Sequence, residues 1–283
     1  MRRFLVGVDF SERSARAEAQ ALALAAAAGA DLKAVHVIDA EAPARLASAA
    51  RDEAAARAAA WRARGAEAGV SCSLITAQGE AHVELPRFAR EVGADCVILG
   101  AHRRSPERNA FIGTTADRIL RASGMPVLVV RRNEAAAYRS ALVAIDFDAP
   151  DFSPLRAALD LGIVTADRAT AAFGVETERM RRMKREAASF EAIEQAFAAE
   201  EPPLRAQAEG MLRAAGFSSV AIMMRPVLLN AADLVFSMAS AARADLLALG
   251  SRRKGAEHRQ PLGSVSETVL RRAEIDVLVV PAG

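Results

Sequence analysis

Hydrophobic and polar positions along the chain fall into two alternating periods. Short apolar runs of strand length stand at Phe4–Val8, Leu32–Ile38, Cys96–Leu99 and Val127–Val130, and Val70–Thr76 alternates apolar with polar as a half-buried strand does. Longer segments with helical spacing separate them. Ser11 supplies an N-cap for an Ala-rich helix that ends near Gly29. Ala42–Ala68, Glu84–Val92 and Thr114–Ala122 are the others, with Pro86 expected in the first turn of its helix, where a missing N–H costs nothing. Strands separated by helices imply parallel βαβ units with helices covering both faces of a sheet.

The same pattern occurs twice. Cys96-Val-Ile-Leu-Gly100 answers Leu246-Leu-Ala-Leu-Gly250, both after Ala-Asp, and Gly113-Thr-Thr answers Gly263-Ser-Val. Val127-Leu-Val-Val answers Val277-Leu-Val-Val, so all three pairs stand 150 residues apart (250 − 100). The opening strands, Phe4 to Asp9-Phe10 and Ala141 to Asp146-Phe147, stand 137 apart (146 − 9), which leaves 13 extra residues in the second copy. The chain is a tandem duplication, with a first domain over 1–132, a polar seam over Arg131–Arg139 and a second domain over 139–283. The expected architecture is α/β: two doubly wound, five-stranded, mostly parallel sheets, Rossmann-like or flavodoxin-like. The apolar final strands of the copies pair across a pseudo-twofold axis to hide both edges. One chain then mimics a homodimer, and a further homodimer stays open.

Composition narrows the class. Of 283 residues, 52% are hydrophobic, which excludes a disordered chain. Thirty-seven basic residues against 35 acidic give a net charge of +2 and no whole-chain footprint for nucleic acid. The longest apolar run, Ala21–Ala30, is about half what a bilayer requires, and the early Asp9 argues against a signal peptide, so a cytoplasmic protein without membrane contact is expected. Two cysteines make neither a disulfide framework nor a thiolate zinc site, and the four histidines show no metal-ligand spacing. His36 reads as a hydrogen-bonded core residue, Cys96 as core, and His102 and His258 fall in loops.

Ligands of doubly wound sheets sit beyond the carboxyl ends of the strands. There the first copy reads Gly100-x2-Arg103-x9-Gly113-Thr114-Thr115 and the second Gly250-x2-Arg253-x9-Gly263-Ser264-Val265. A strand-end glycine admits close approach to the backbone, and a Gly-Ser/Thr pair opening a helix offers N–H groups, a hydroxyl and the positive dipole end to a phosphate. Tight turns and ordinary helix caps are the bland alternative.

With these motifs the sequence resembles the universal stress protein family, as a tandem pair covering both halves nearly end to end. The ATP-binding branch of that family carries Gly-x2-Gly-x9-Gly-Ser/Thr with an Asp closing the first strand. The resemblance implies that Asp9 and Val37 face an adenine in the first copy, while Gly100, Gly113, Thr114 and Thr115 hold ribose and phosphates. Asp146, Val175, Gly250, Gly263, Ser264 and Val265 are the implied counterparts. It further implies ATP or another adenine nucleotide as ligand, Mg accompanying ATP, and a role in stress regulation through a protein partner. Both copies depart from the pattern at Arg103 and Arg253, where the second glycine is expected. These arginines, with Arg104, Arg108, Arg252, Lys254 and Arg259, either block the ribose–phosphate space or bind phosphate by their planar forks.

Asp148, Pro150 and Asp151 add bulk and negative charge beside the second site, which favours the first copy. The extra residues of the second copy fall around Glu178–Ala208. There Met180, Met183, Phe190, Ile193 and Phe197 share a helical face beside a cluster of Arg179, Arg181, Arg182, Lys184 and Arg185, and Pro202-Pro203 is expected to end the helix. That insertion reads either as a partner surface or as a helix docked on its own domain. Nucleotide-activating enzyme motifs and catalytic constellations are missing from the sequence, so at most weak ATP hydrolysis is expected. Two functions stand: an adenine-nucleotide-binding stress regulator, or a non-nucleotide scaffold of the same fold with degenerate loops.

Overall fold

All ten apolar runs of the two copies become strands of a single sheet. The computed structural model describes residues 1–101, 118–120, 122–251 and 262–281. The first half contributes β1 (Arg3–Val8), β2 (Asp31–Ile38), β3 (Cys72–Gln78), β4 (Cys96–Gly100) and β5 (Val127–Val130). Its helices are α1 (Glu12–Ala28), α2 (Ala44–Glu67) and α3 (Ala81–Glu91). The second half supplies β6 (Ala141–Asp146), β7 (Ala169–Val175), β8 (Ala221–Pro226), β9 (Leu246–Ser251) and β10 (Asp276–Pro281). Its helices are α4 (Ser153–Asp160), α5 (Glu178–Arg185), α6 (Phe190–Ala214), α7 (Ala231–Ala241) and α8 (Ser264–Arg272).

Strand order is β3-β2-β1-β4-β5-β10-β9-β6-β7-β8. Each half is parallel throughout, and the halves join where β5 and β10 pair antiparallel about Leu128 and Leu278. Both leucines are fully buried. The two apolar edges thus cover each other, as the sequence required.

Strand periodicity sorts side chains onto two layers. Phe4, Val6 and Leu32 face α1 and the α2 side chain Trp61, whereas Leu5, Val35 and Val97 face Leu85 and Ala89 of α3. Helix α1 begins where expected: the Ser11 hydroxyl accepts the Ser14 N–H, and Gly29 closes the helix in a left-handed conformation. Helix α2 buries only Ala47, Ala54, Trp61 and Gly65, a stripe one residue wide.

Three expectations are corrected. Helix α3 starts at Ala81 rather than Glu84, so Pro86 lies beyond the first turn and is buried against the core, which offsets its missing hydrogen bond. Pro202 and Pro203 do not end the insertion's helix; α6 runs through both. They lie on its exposed face, and the carbonyls they leave free, on exposed Ala198 and Ala199, meet water instead of a buried void. The buried stripe Ile193, Ala196 and Phe197 before the prolines and Ala208 and Leu212 after them keeps both segments on one surface. Third, β1 pairs Val8 with His36 and β6 pairs Ile145 with Phe173, so the counterpart of Val37 is Gly174, not Val175. Val175 lies on the opposite layer, with Phe173.

The seam is pinned, not slack. Buried Asp276 of β10 accepts the N–H groups of Arg131 (2.7 Å) and Arg132 (2.9 Å) and the Tyr138 hydroxyl (2.6 Å). Gln20 of α1 holds Ala136 by both its N–H (3.0 Å) and its carbonyl (2.9 Å). Asp245 accepts the N–H groups of Arg139 and Ser140 and pairs with Arg132 at 3.3 Å.

Candidate functional site

A cavity of about 190 Å³ opens in the first half at the carboxyl ends of β1, β2 and β4. Its walls are apolar, from Val35 and Val37 on β2, Leu85 on α3 and Leu99 on β4, with Asp9, Arg13 and Ser14 at the rim. The space exists because β1 carries glycine at position 7, where a side chain would begin 3.0 Å from methyl groups of both Leu85 and Leu99. Sequence reasoning passed over Gly7; its signal was a glycine inside an apolar strand, which marks close approach of another group.

The structure brings Asp9, Val37 and Gly100 onto this one cavity. Gly100 also has a packing role. A side chain there would begin 2.7 Å from the Arg13 carbonyl, so its bareness seats the first turn of α1 against β4. The Asp9 carboxylate accepts the N–H (3.0 Å) and hydroxyl (2.5 Å) of Ser11, fixing the turn into α1. Between them Phe10 takes φ +59°, in the left-handed region. Its ring stacks on His36 at 4.3 Å under the guanidinium of Arg57 at 4.4 Å. His36 Nδ1 lies 2.9 Å from the Val8 carbonyl, so the ring donates from Nδ1 and is the satisfied core residue expected of it. Arg103, Gly113, Thr114 and Thr115 lie outside the described residues, as do Arg253, His102, His258 and the remaining loop cations.

The corresponding region of the second half is built differently. Asp146 caps a turn by accepting the N–H groups of Asp148 and Ala149. Gly250 faces the carboxylate of Asp151, whose Oδ2 lies 3.0 Å from where a side chain would start, with the Pro154 ring at 3.7 Å. In the repeat, Asp151 stands where Ser14 stands in the first copy. A phosphate oxygen brought within about 4 Å of that carboxylate meets a repulsion of about 4 kcal/mol at an effective dielectric near 20. Gly174 leaves room, yet Leu234 and Val227 already crowd it at 3.0 and 3.2 Å. Gly263, Ser264 and Val265 open α8 as the motif required, and Ser266 ties that helix to β9 by donating to the Gly250 carbonyl at 2.8 Å.

Helix α5 is tied to the turn after β6 through Asp148. Arg181 reaches Asp148 at 3.1 Å and Glu176 at 3.6 Å, Lys184 pairs with Glu176, Arg185 with Glu178, and Arg179 with Glu200. The ammonium of Lys184 and then the Arg181 guanidinium hold the Glu176 carboxyl below its ordinary range. Met180, Ile193 and Phe197 are buried. Four of the five cations in the insertion's basic cluster thus meet carboxylates of the same half, which is the docked-helix reading. Cys96 is fully buried and its thiol is pushed up to about 12 by desolvation; burial also raises that of half-buried Cys72. Among the described residues no group of His, Cys, Asp and Glu is arranged to hold a metal, and no helix is long and apolar enough to cross a membrane.

A duplicated α/β unit, its parallel sheet joined at a central antiparallel pair and its strand ends opening on a cavity, defines a tandem Rossmann-like protein. The chain belongs to the universal stress protein family, whose model matches residues 1–131 and 137–281. A universal stress protein from Archaeoglobus fulgidus has the same fold, with a TM-score of 0.70 over 99% of this chain and 98% of its own at 17% identity. So does PA1789 from Pseudomonas aeruginosa PAO1, described as functionally unknown, with a TM-score of 0.65 over 100% and 93% at 19% identity. In sequence, Universal stress protein MJ0577 of Methanocaldococcus jannaschii is 30% identical over 61 residues, 22% of this chain. That stretch spans 38% of the length of the relative.

Proposed function

We propose that this chain is a stress-regulatory protein that binds an adenine nucleotide, ATP foremost, in its first half. The second half retains the fold and the pairing surface without an open nucleotide seat. The observation that carries the reading is the contrast at two equivalent strand-end glycines. Beside Gly100 lies an apolar cavity with a polar rim, and over Gly250 lies a carboxylate. The cavity is smaller than the roughly 300–1,000 Å³ of pockets that enclose a whole drug-sized ligand, so it takes the base and leaves the rest of the nucleotide outside it. Val35, Val37, Leu85 and Leu99 provide the apolar contact for the ring, and Asp9 stands at the rim where ribose or base edges offer donors. Gly113, Thr114, Thr115 and Arg103 are the residues assigned to the phosphates by sequence, with Mg accompanying ATP.

Calorimetry tests this with ATP, ADP and AMP on the natural protein and on Val37→Phe, which fills the cavity. Heat saturating at one nucleotide per chain, weakened about tenfold or more by Val37→Phe, is the expected outcome, since losing ring burial costs 1.4 kcal/mol or more. Absence of heat at millimolar nucleotide would favour the scaffold reading of the same fold.

A further inference from the structure

The turn that carries Asp9 is built unlike its counterpart in the second half. Phe10 holds φ +59°, a left-handed conformation that residues with a side chain seldom adopt. Its ring lies on His36, with centroids 4.3 Å apart and 26° between the planes. The Arg57 guanidinium of α2 stands 4.4 Å from the Phe10 centroid. We propose that Phe10, held by His36 and Arg57, is a positioning residue that orients Asp9 at the cavity and links nucleotide binding to the docking of α2. The inference rests on the nucleotide reading of that cavity.

Asp9 is anchored through both of its neighbours. Val8 before it accepts from His36 Nδ1 at 2.9 Å, and Phe10 after it stacks on that same imidazole. The Asp9 N–H donates to the Ser14 hydroxyl at 3.1 Å, and its Oδ1 accepts from Ser11. Among the described residues nothing donates to Oδ2, which stays available to a ligand. The φ of Phe10 lies between Asp9 and Ser11, so releasing it to the extended region undoes the Ser11 bonds that fix the carboxylate. Helix α2 reaches this turn by two routes. Arg57, pre-oriented by Glu53 one turn earlier at 2.7 and 3.1 Å, covers Phe10. Arg64 pairs at 3.6 Å with Glu18, which accepts the Ser14 hydroxyl at 3.0 Å. With only a narrow buried stripe, α2 is an element of low local stability, to which such ties matter.

The second half has the turn without this device. Phe147 and Phe173 stand where Phe10 and His36 stand, and their rings meet edge-on at 6.0 Å and 87°. Phe147 lies outside the left-handed region, and among the described residues no cation covers either ring. An imidazole bonds the strand end and offers a flat face at once, whereas a phenyl ring offers only the face. The stack and the left-handed turn thus accompany the open cavity, and the copy with a carboxylate over its glycine lacks both.

Calorimetry with ATP, together with hydrogen exchange read by mass spectrometry, tests this. The proteins are the natural chain, Phe10→Leu, Arg57→Gln, Arg57→Lys and, as a control at a distant surface site, Arg213→Gln. Arg57 is exposed, so its variants keep the test open should Phe10→Leu fail to fold. Arg57→Gln should bind ATP about three- to fivefold more weakly, the share of an exposed cation–π contact, and Arg57→Lys, which keeps the charge, should stay within about twofold of the natural chain. In Arg57→Gln the amides of residues 9–14 should exchange about threefold faster or more, with those of β1 and the rest of α1 unchanged. By linkage, ATP should slow exchange in α2 of the natural chain, and less so in Arg57→Gln. ATP affinity unchanged in both Arg57→Gln and Phe10→Leu overturns the positioning role and keeps the nucleotide reading. Faster exchange spread evenly over β1, α1 and α2 overturns it as well, since the variant would then act through stability alone. A natural chain that binds no ATP overturns the nucleotide reading, and exchange at residues 9–14 then decides by itself: faster in Arg57→Gln keeps the stack as what orients the turn, unchanged overturns it.

Discussion

At the scale of single residues, the same motif glycine does different work in the two halves. Gly100 lets backbone meet backbone, and a methyl there collides with the Arg13 carbonyl at 2.7 Å; at Gly250 the nearest atom is the tip of the Asp151 side chain at 3.0 Å. Gly100→Ala should therefore lower stability by about 1–3 kcal/mol, the usual cost of overpacking. Gly250→Ala should cost less, because a carboxylate rotates more readily than a helix shifts. Urea midpoints of the two variants compare them directly. The cysteines make a second prediction. With the Cys96 thiol near 12 and that of Cys72 also raised, the reactive thiolate is scarce at neutral pH. Thiol titration of the folded protein at pH 8 should be slow, and it should become fast and count two cysteines after unfolding. A fast-reacting thiol in the native state would contradict the burial described here.

At the scale of elements, most strands and caps were legible because period-two apolar runs and an Ser11 N-cap are local signals. The pairing of Val127–Val130 with its repeat was legible from their matching apolar edges. Pro202 and Pro203 were misread because a proline signal is local while the outcome was tertiary: a buried stripe on either side held α6 together with the prolines facing water. Exposed prolines inside a helix cost stability, so Pro203→Ala should raise it by about 1–3 kcal/mol, measured as a higher urea midpoint. The site was legible in part. Asp9, Val37 and Gly100 converge as the pattern required. Gly7 and Arg13 were not seen, because neither belongs to a spaced motif; only register and helix direction bring them to the strand ends. The slip from Gly174 to Val175 has the same origin, since one residue of register moves a side chain to the other layer.

At the scale of the whole molecule, the seam makes two repeats into one body. Sequence showed Arg131–Arg139 as a polar connector, and its anchors, Gln20, Asp245 and Asp276, come from three distant segments that no local pattern links. Tyr138 donates to buried Asp276, and burial together with that carboxylate raises the phenol well above its ordinary value near 10. The folded state keeps the phenol proton where the unfolded chain gives it up. This contribution is complete below about pH 10 and is lost as pH rises above it. Tyr138→Phe should cost about 1–3 kcal/mol at neutral pH by leaving a buried acceptor short of a donor, and it should flatten the alkaline decline of stability. The proposed asymmetry between the halves is read out by native mass spectrometry of the chain with ATP. One nucleotide per chain is expected, lost in Val37→Phe and retained in Asp151→Asn. Two nucleotides per chain, or one that survives Val37→Phe, would contradict it.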